Sequence, residues 1–467
     1  MFSSETYAGR RAELRRRLGG GGVVLLPGND EAPANYRDNA YHFRQDSTFL
    51  YFFGIDHPGL FGVMDLDSGE DVLFGDDLTV EDIIWTGPQP SVAELGARAG
   101  VRRSAPLSEL SVEAEKAVRT GRRMHFLPPY RAENRLRLSA LTGIKQNAID
   151  DYVSVDLIIA CAAMREVKSA EELAELERGF EIGYRMHTTA MRMCVPGAAE
   201  REIAGAIEGA AMQYGWGVSF HSIVSQHGET LHNHSHDGIL ESGRLLLVDA
   251  GAETVMNYCS DHTRTFPVSG RFTQKQKDVY EIVLNAHDHV LRTAAPGMYR
   301  DLHAAAYRVM AEGLIGLGLM RGNAEEAVAA GAMEMFMPHG LGHGMGLDVH
   351  DCEEYGERGM RDFSAVAARA DEVDTCIMRS RWRLRPGTVM TDEPGIYFIP
   401  ALIEKWRAEG RCTRFVDFGR LKDYYDFGGI RIEDDLVITE TGCRIIGHKT
   451  IPVSVAGIEE YMAGRLG

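Results

Sequence analysis

One order of structural signals occurs twice in this sequence, and it restricts the fold more than any other feature. Ser169 and Glu172 form a capping box ahead of Leu173, Leu176, Phe180, Tyr184, His187 and Met191. These recur every three or four residues, the pattern of one apolar helix face. The helix stops at Pro196-Gly197, and a second helix covers about 199–214. Thr273 and Gln276 then repeat the box. Val279, Tyr280, Val283, Leu284 and His287 repeat the stripe, and Pro296-Gly297 repeats the stop 100 residues after the first. Another helix follows, to about Gly316 or Gly318, and strand-like segments follow each helix pair. Two related halves facing each other would leave a cleft between their sheets. Pro-Gly also ends many unrelated helices, so the repeat is weak by itself and chance similarity stays open.

Ahead of this region, residues 1–165 alternate short apolar runs with helical stretches, which reads as a separate α/β domain and makes residues 166–467 the second domain. Strands are expected at 23–26, 49–53, 60–64 and 72–74. The arginine-rich N-terminus reads as a first helix buried through Tyr7, Leu14 and Leu18, because no apolar leader segment follows it. The chain's 467 residues suffice for two or three domains.

The net charge of −18 argues against a nucleic-acid backbone or an anionic membrane surface as partner. The sequence has no apolar run of membrane-spanning length. Its seven cysteines are scattered, with no C-x-x-C pair, which excludes a zinc ribbon or a disulfide framework and makes a reducing cytoplasm the default.

The chemical signals are polar residues within strand-like segments of the second half. Leu245-Leu246-Leu247-Val248 runs straight into Asp249, and Asp261 follows twelve residues later. A carboxylate ending a buried strand is costly unless something positive meets it. Taken singly, either aspartate also reads as a cap or turn residue. In 339–350, glycine alternates at 340, 342, 344 and 346, which excludes helix interior. An extended segment would put His339, Leu341, His343 and Met345 on one face, and a flexible glycine-rich loop is the plainer alternative. Glu393 precedes a Pro-Gly turn, and Arg431 and Glu433 share a face of an alternating segment, where they could form a structural ion pair. Together, two aspartates, one histidine and two glutamates on separate strands can hold two divalent cations, four negative charges offsetting four positive. Oxygen-rich ligation with one imidazole suits Mn²⁺ or Co²⁺. Two such ions about 3.5–4 Å apart clamp a bridging water and make it a hydroxide nucleophile near neutral pH.

At this point the sequence resembles a known family. Phe43-Arg44-Gln45-Asp46-Ser47-Thr48-Phe49-Leu50-Tyr51-Phe52-Phe53-Gly54 is similar to the N-domain signature of the proline-specific metallopeptidases of the pita-bread fold, Xaa-Pro aminopeptidase and Xaa-Pro dipeptidase. Val248-Asp249-Ala250-Gly251, Ser260-Asp261-His262-Thr263-Arg264, residues 339–350, Glu393-Pro394-Gly395 and Arg431-Ile432-Glu433-Asp434 resemble the family's C-terminal blocks, in order. The resemblance implies a creatinase-like α/β N-domain and a pita-bread C-domain with an internal pseudo-twofold. It implies metal ligands at Asp249, Asp261, His343, Glu393 and Glu433, with Asp261 and Glu433 bridging and Glu393 also catalytic. His232 matches a proton-handling histidine, His350 one that stabilises the carbonyl oxygen, and His339 one at the edge of the substrate pocket, while Arg431 matches the group that orients a metal carboxylate.

Two departures stand out. The Asp249–Asp261 spacing is about one residue longer than in many members, which implies an inserted hairpin residue. His232, His234 and His236 also alternate, as a separate metal site or as solvent-facing and pocket-lining side chains.

The expected activity is hydrolysis between an N-terminal residue and a following proline by a metal-bridging hydroxide, with Mn²⁺ favoured over Co²⁺ or Zn²⁺. The alternatives are a dipeptidase, in which Arg379 binds the substrate's free carboxylate, and more remotely a non-catalytic binding protein of the same fold. A methionine aminopeptidase would lack the N-domain, and a creatinase-like enzyme the full ligand set. Partners are proline-containing peptides, with neither nucleic acid nor membrane, and the resemblance implies a homodimer or a tetramer. Segments 352–385 and 398–428 read as long insertions in the C-terminal domain.

Overall fold

In the computed structural model, which describes residues 1–464, the chain divides into two compact units. Met1–Arg165 and Cys352–Met378 form one, and Glu166–Asp351 with the chain from Arg379 onward forms the other. Segment 352–378, counted with the C-terminal domain on sequence, belongs to the first of these compact units. Contacts inside that unit explain why. The buried Tyr355 and Thr48 hydroxyls hydrogen-bond at 2.5 Å, and Arg369 pairs with Asp156.

The first unit is built on a five-stranded mixed sheet, in the order Arg103–Ala105, Asp71–Phe74, Phe61–Asp65, Val23–Pro27 and Met124–His125. Three of the four expected strands are there. The fourth is corrected: Ser47–Phe53 is an α-helix. Asp46 caps it by accepting the Phe49 N–H at 2.8 Å, and Gly54 ends it at φ 65°. All seven helix residues are buried, so the aromatic run shows no polar face from which a helical period could be read. The basic N-terminus forms the helix Ser4–Leu18, with Tyr7 and Leu14 buried. Arg11 is buried with them and donates to the carbonyls of Phe52 and Ala99 and to Asp71, which offsets the cost of burying its charge.

The second unit realises the repeated order. Helices Ala170–Met193 and Glu200–Tyr214 precede the strands Ile223–Ser225, Leu245–Ala250 and His262–Pro267. Helices Gln274–Thr293 and Tyr299–Gly316 precede Val389–Asp392, Gly395–Tyr397, Gly429–Arg431 and Asp434–Ile438. Both expected capping boxes form, and most residues of both helix stripes are buried. Each half contributes an antiparallel ladder, Leu245–Ala250 on His262–Pro267 and Val389–Asp392 on Asp434–Ile438. The ladders join where the Glu433 N–H donates to the Thr263 carbonyl at 3.0 Å.

Residues 339–350 form no regular strand, but part of the segment runs beside Val389–Asp392. The Thr391 N–H donates to the His343 carbonyl at 3.0 Å and the Glu393 N–H to the Leu341 carbonyl at 2.9 Å. The approach is so close that a Cβ on Gly342 would lie 1.9 Å from the Thr391 oxygen, which accounts for glycine there. No described helix is long and apolar enough to cross a membrane.

Candidate metal centre and active site

The junction of the two ladders brings together acids that lie far apart in sequence. Asp261, His343 and Glu433 are buried and offer ligand atoms all within 4.8 Å of one another. His343 Nε2 is 3.4 Å from Asp261 Oδ2 and 3.6 Å from Glu393 Oε1. Asp249, at the end of its strand, pairs with the buried guanidinium of Arg431. Three of the five expected ligands therefore form the tight group. Glu393 adjoins it through His343, and Asp249 is held beside it by Arg431.

Threonine hydroxyls set the orientation of these acids. Thr263 accepts a hydrogen bond from Arg431 Nε at 2.9 Å and donates to Glu433 Oε2 at 2.6 Å. Thr391 accepts from the His343 N–H at 3.0 Å and donates to Glu393 Oε1 at 3.3 Å. Arg431 also donates to the Tyr397 hydroxyl at 2.8 Å, leaving that hydroxyl's proton for His339 Nε2 at 2.9 Å. The His339 tautomer follows, with Nδ1–H donating to the Gly340 carbonyl at 2.8 Å. Burial pushes the Tyr397 phenol up to about 12, so it keeps its proton at neutral pH.

The charges do not balance within the protein. Burial pushes Asp261 well above the usual carboxylate range, and Asp249 and Glu393 push it the same way. Glu433 is raised by burial, then by Asp261 and Glu393. Burial would also raise Glu393, but His339, His343, Arg431 and His350 outweigh it and hold this carboxyl low. Asp249 Oδ1 and Asp261 Oδ1 are buried without a hydrogen-bond partner among the described residues. Such oxygens are costly unless something positive meets them. The residues therefore fit divalent cations, by the unpaired oxygens and by a donor set of carboxylates with one imidazole.

The remaining expected residues lie at varied distances from this centre. His350 is exposed, but its ring lies flat on His343 with centroids 3.7 Å apart, and its charge acts on Asp261 and Glu393. Arg379 is half-buried beside Gly340, where a Cβ would lie 2.6 Å from its Nη1, and its charge acts on His339 and His303. Arg381 and Arg383 are exposed. His232 stands outside the carboxylate cluster, exposed, with its ring 6.5 Å from that of His234. Residues 231–238 form no strand, and His236 instead reaches the Ser222 carbonyl at 2.9 Å, so the three alternating histidines do not share a strand face. The longer Asp249–Asp261 connection forms a hairpin tip bridged at Glu253 and Cys259 and turned by Asn257 at φ 63°.

Sequence reasoning did not single out Thr263, Thr391 or Tyr397. The signal for them was spacing. Each threonine lies two residues from a ligand, and Tyr397 lies four after Glu393, all separations that return a strand to the same face.

The chain is also similar to known proteins. Residues 174–440 match the model of metallopeptidase family M24, and residues 7–125 match the aminopeptidase P N-terminal domain. The chain is 33% identical over 456 residues to the Xaa-Pro aminopeptidase of Escherichia coli (strain K12), covering 94% of each chain. It is 32% identical over 461 residues to the Xaa-Pro dipeptidase of Homo sapiens, covering 95% of this chain and 89% of that one. A solved structure of aminopeptidase P from E. coli with the inhibitor Pro-Leu matches at TM-score 0.79 and 30% identity, covering 100% of this chain and 99% of that one. With both parts matched, and in keeping with the fold class read from its sequence, the chain belongs to metallopeptidase family M24 and carries the aminopeptidase P type of N-terminal domain.

Proposed function

We propose that this chain is an Xaa-Pro aminopeptidase, which hydrolyses the bond between an N-terminal residue and a following proline. The observation that carries the reading is the buried meeting of Asp261, His343 and Glu433, with Glu393 and Asp249 beside them. We assign two divalent cations to these five residues, Mn²⁺ before Co²⁺ or Zn²⁺. When bound, such ions supply an activated water and Lewis-acid assistance to a carbonyl.

The chain's own groups do the rest. Arg431 and Thr263 fix the carboxylates of Asp249 and Glu433. Glu393, held low in pKa by its histidine and arginine neighbours, stays ionised and can accept a proton from the attacking water. His350, exposed and stacked on the ring of His343, donates to the carbonyl oxygen as charge develops there. His232 handles the proton that the departing prolyl nitrogen must gain. His339, its tautomer fixed by Tyr397, lines the substrate pocket. The Xaa-Pro link is a tertiary amide, without the N–H that strand-like substrate binding needs, and it isomerises slowly. A dedicated site beside the cations answers both difficulties.

One observation favours a dipeptidase instead, the placement of Arg379 beside Gly340 and next to His339. A planar guanidinium there could bind the free carboxylate of an Xaa-Pro dipeptide bidentately. The test compares kcat/KM for an Xaa-Pro dipeptide and an Xaa-Pro-Xaa tripeptide in wild type and Arg379→Ala. An aminopeptidase cleaves the tripeptide at least as well, and Arg379→Ala affects both alike. A wild-type preference for the dipeptide that falls about 10- to 100-fold in the variant, the worth of a charged hydrogen bond, would make the chain a dipeptidase.

The scattered cysteines, with no C-x-x-C pair, support a reducing, cytoplasmic setting. The assembly we expect is a homodimer or a tetramer. Light scattering that returns 51.6 kDa at every concentration would refute it.

A further inference from the structure

The first helix of each half carries a buried histidine that the mechanism leaves unused: His187 and His287, 100 residues apart. Each lies behind one of the ladders that carry the carboxylates. His287 Nε2 is 3.1 Å from Asp434 Oδ2 and 3.9 Å from Asp392 Oδ2. Asp392 is the chain neighbour of Glu393, and Asp434 that of Glu433. Successive strand residues face opposite sides, and the contacts follow that rule. Glu393 faces His343 while Asp392 faces His287, and Glu433 meets Thr263 while Asp434 meets Arg264 and His287.

Asp392 and Asp434 are also direct register partners across their ladder, a position where like charges repel. Both are buried, and neither oxygen of Asp392 has a hydrogen-bond partner among the described residues. Arg264 compensates Asp434 at 2.8 Å, which leaves His287 as the cation facing Asp392. Burial alone would lower the His287 pKa, but Asp392, Asp288 and Asp434 outweigh it and lift the ring to about 9.

The first half shows the same placement without the charge. His187 Nε2 lies 3.0 Å from the Ala250 carbonyl, and its ring centroid is 6.0 Å from that of His262. Ala250 and His262 are register partners, and they neighbour Asp249 and Asp261 in the chain. Burial, helped by Arg264, pushes His187 down to about 4, so it is neutral.

We propose that His287 is a positioning residue for the metal centre: in contact with both Asp392 and Asp434, it holds this buried pair together, and with it the strand ends that present Glu393 and Glu433. His187 is its uncharged counterpart behind Asp249 and Asp261. The inference rests on the metal ligation assigned above.

The test is calorimetric titration of Mn²⁺ into full-length, metal-stripped protein, with thermal melts of the same samples before metal is added. His287→Gln removes the ring that contacts both carboxyls and is expected to weaken Mn²⁺ binding by about tenfold or more. The double variant His287→Gln/Asp392→Asn, which replaces both the ring and the buried carboxyl facing it, is expected to recover most of that affinity. Val283→Ala, as buried and on the same helix, should lower the melting temperature without changing Mn²⁺ affinity. A folded His287→Gln that binds Mn²⁺ like wild type, or a double variant that binds no better than the single one, overturns the proposal. Should His287→Gln not fold, the double variant decides: near-native Mn²⁺ affinity supports the role, and weak binding or failure to fold overturns it. A wild-type chain that binds no Mn²⁺ would instead refute the metal assignment itself.

Discussion

Replacing Asp261 by alanine is expected to abolish stoichiometric Mn²⁺ binding and to lower turnover on the order of 10³-fold, because the cations organise and stabilise the reaction's developing charge. The site leaves no substitute. Asp261 is buried at the ladder junction, 3.4 Å from His343, and its second oxygen has no protein partner among the described residues. A second readout separates ligand loss from misfolding. Burial, Asp249 and Glu393 raise the Asp261 pKa above its unfolded value, so without metal the native state binds that proton more tightly than the unfolded state does. The contribution of this group to stability therefore falls as pH rises above about 4, and it reaches its full penalty once pH exceeds the folded pKa. Metal-free Asp261→Ala should thus melt higher than metal-free wild type, by a margin that widens with pH. Added Mn²⁺ should reverse the order by stabilising only the wild type. Metal analysis finding two full equivalents in Asp261→Ala would remove this residue from the ligand set.

His232→Ala should behave in the opposite way. Its side chain is exposed and outside the carboxylate cluster, so metal content and melting temperature should match wild type. Turnover should fall by about 10²- to 10⁴-fold, the usual cost of losing a general acid–base. The loss should appear in kcat, since the group acts on a proton that moves in the transition state. Wild-type kcat in this variant would assign the leaving-group proton to another residue, and a parallel loss of metal would make His232 a ligand.

How much of this was open to reading from the sequence depended on the physics of each residue. Asp249 drew notice because a charge ending a buried apolar strand is expensive, while Asp261, Glu393 and Glu433 read singly as turn or ion-pair residues and stood out only together and through the family resemblance. The order of elements in the second unit was legible from its capping boxes and stripes, which are local. The 49–53 helix was not, because a fully buried element has no polar face and aromatic residues favour strands elsewhere. Nor was the membership of 352–378 in the first unit, which depends on pairs such as Tyr355 with Thr48, separated by 307 residues. The threonines escaped notice because they are ordinary residues until folding pairs them with a partner. Thr263 finds Glu433 170 residues away.

The most direct test of the account incubates the metal-stripped, full-length chain with an Xaa-Pro-Xaa tripeptide and with the same peptide carrying alanine in place of proline. Release of the free N-terminal amino acid is followed by mass spectrometry, with and without Mn²⁺. The account predicts metal-dependent release from the proline peptide and little from the alanine peptide. A folded chain with two equivalents of Mn²⁺ bound that leaves every Xaa-Pro peptide intact, from the dipeptide upward, would contradict it.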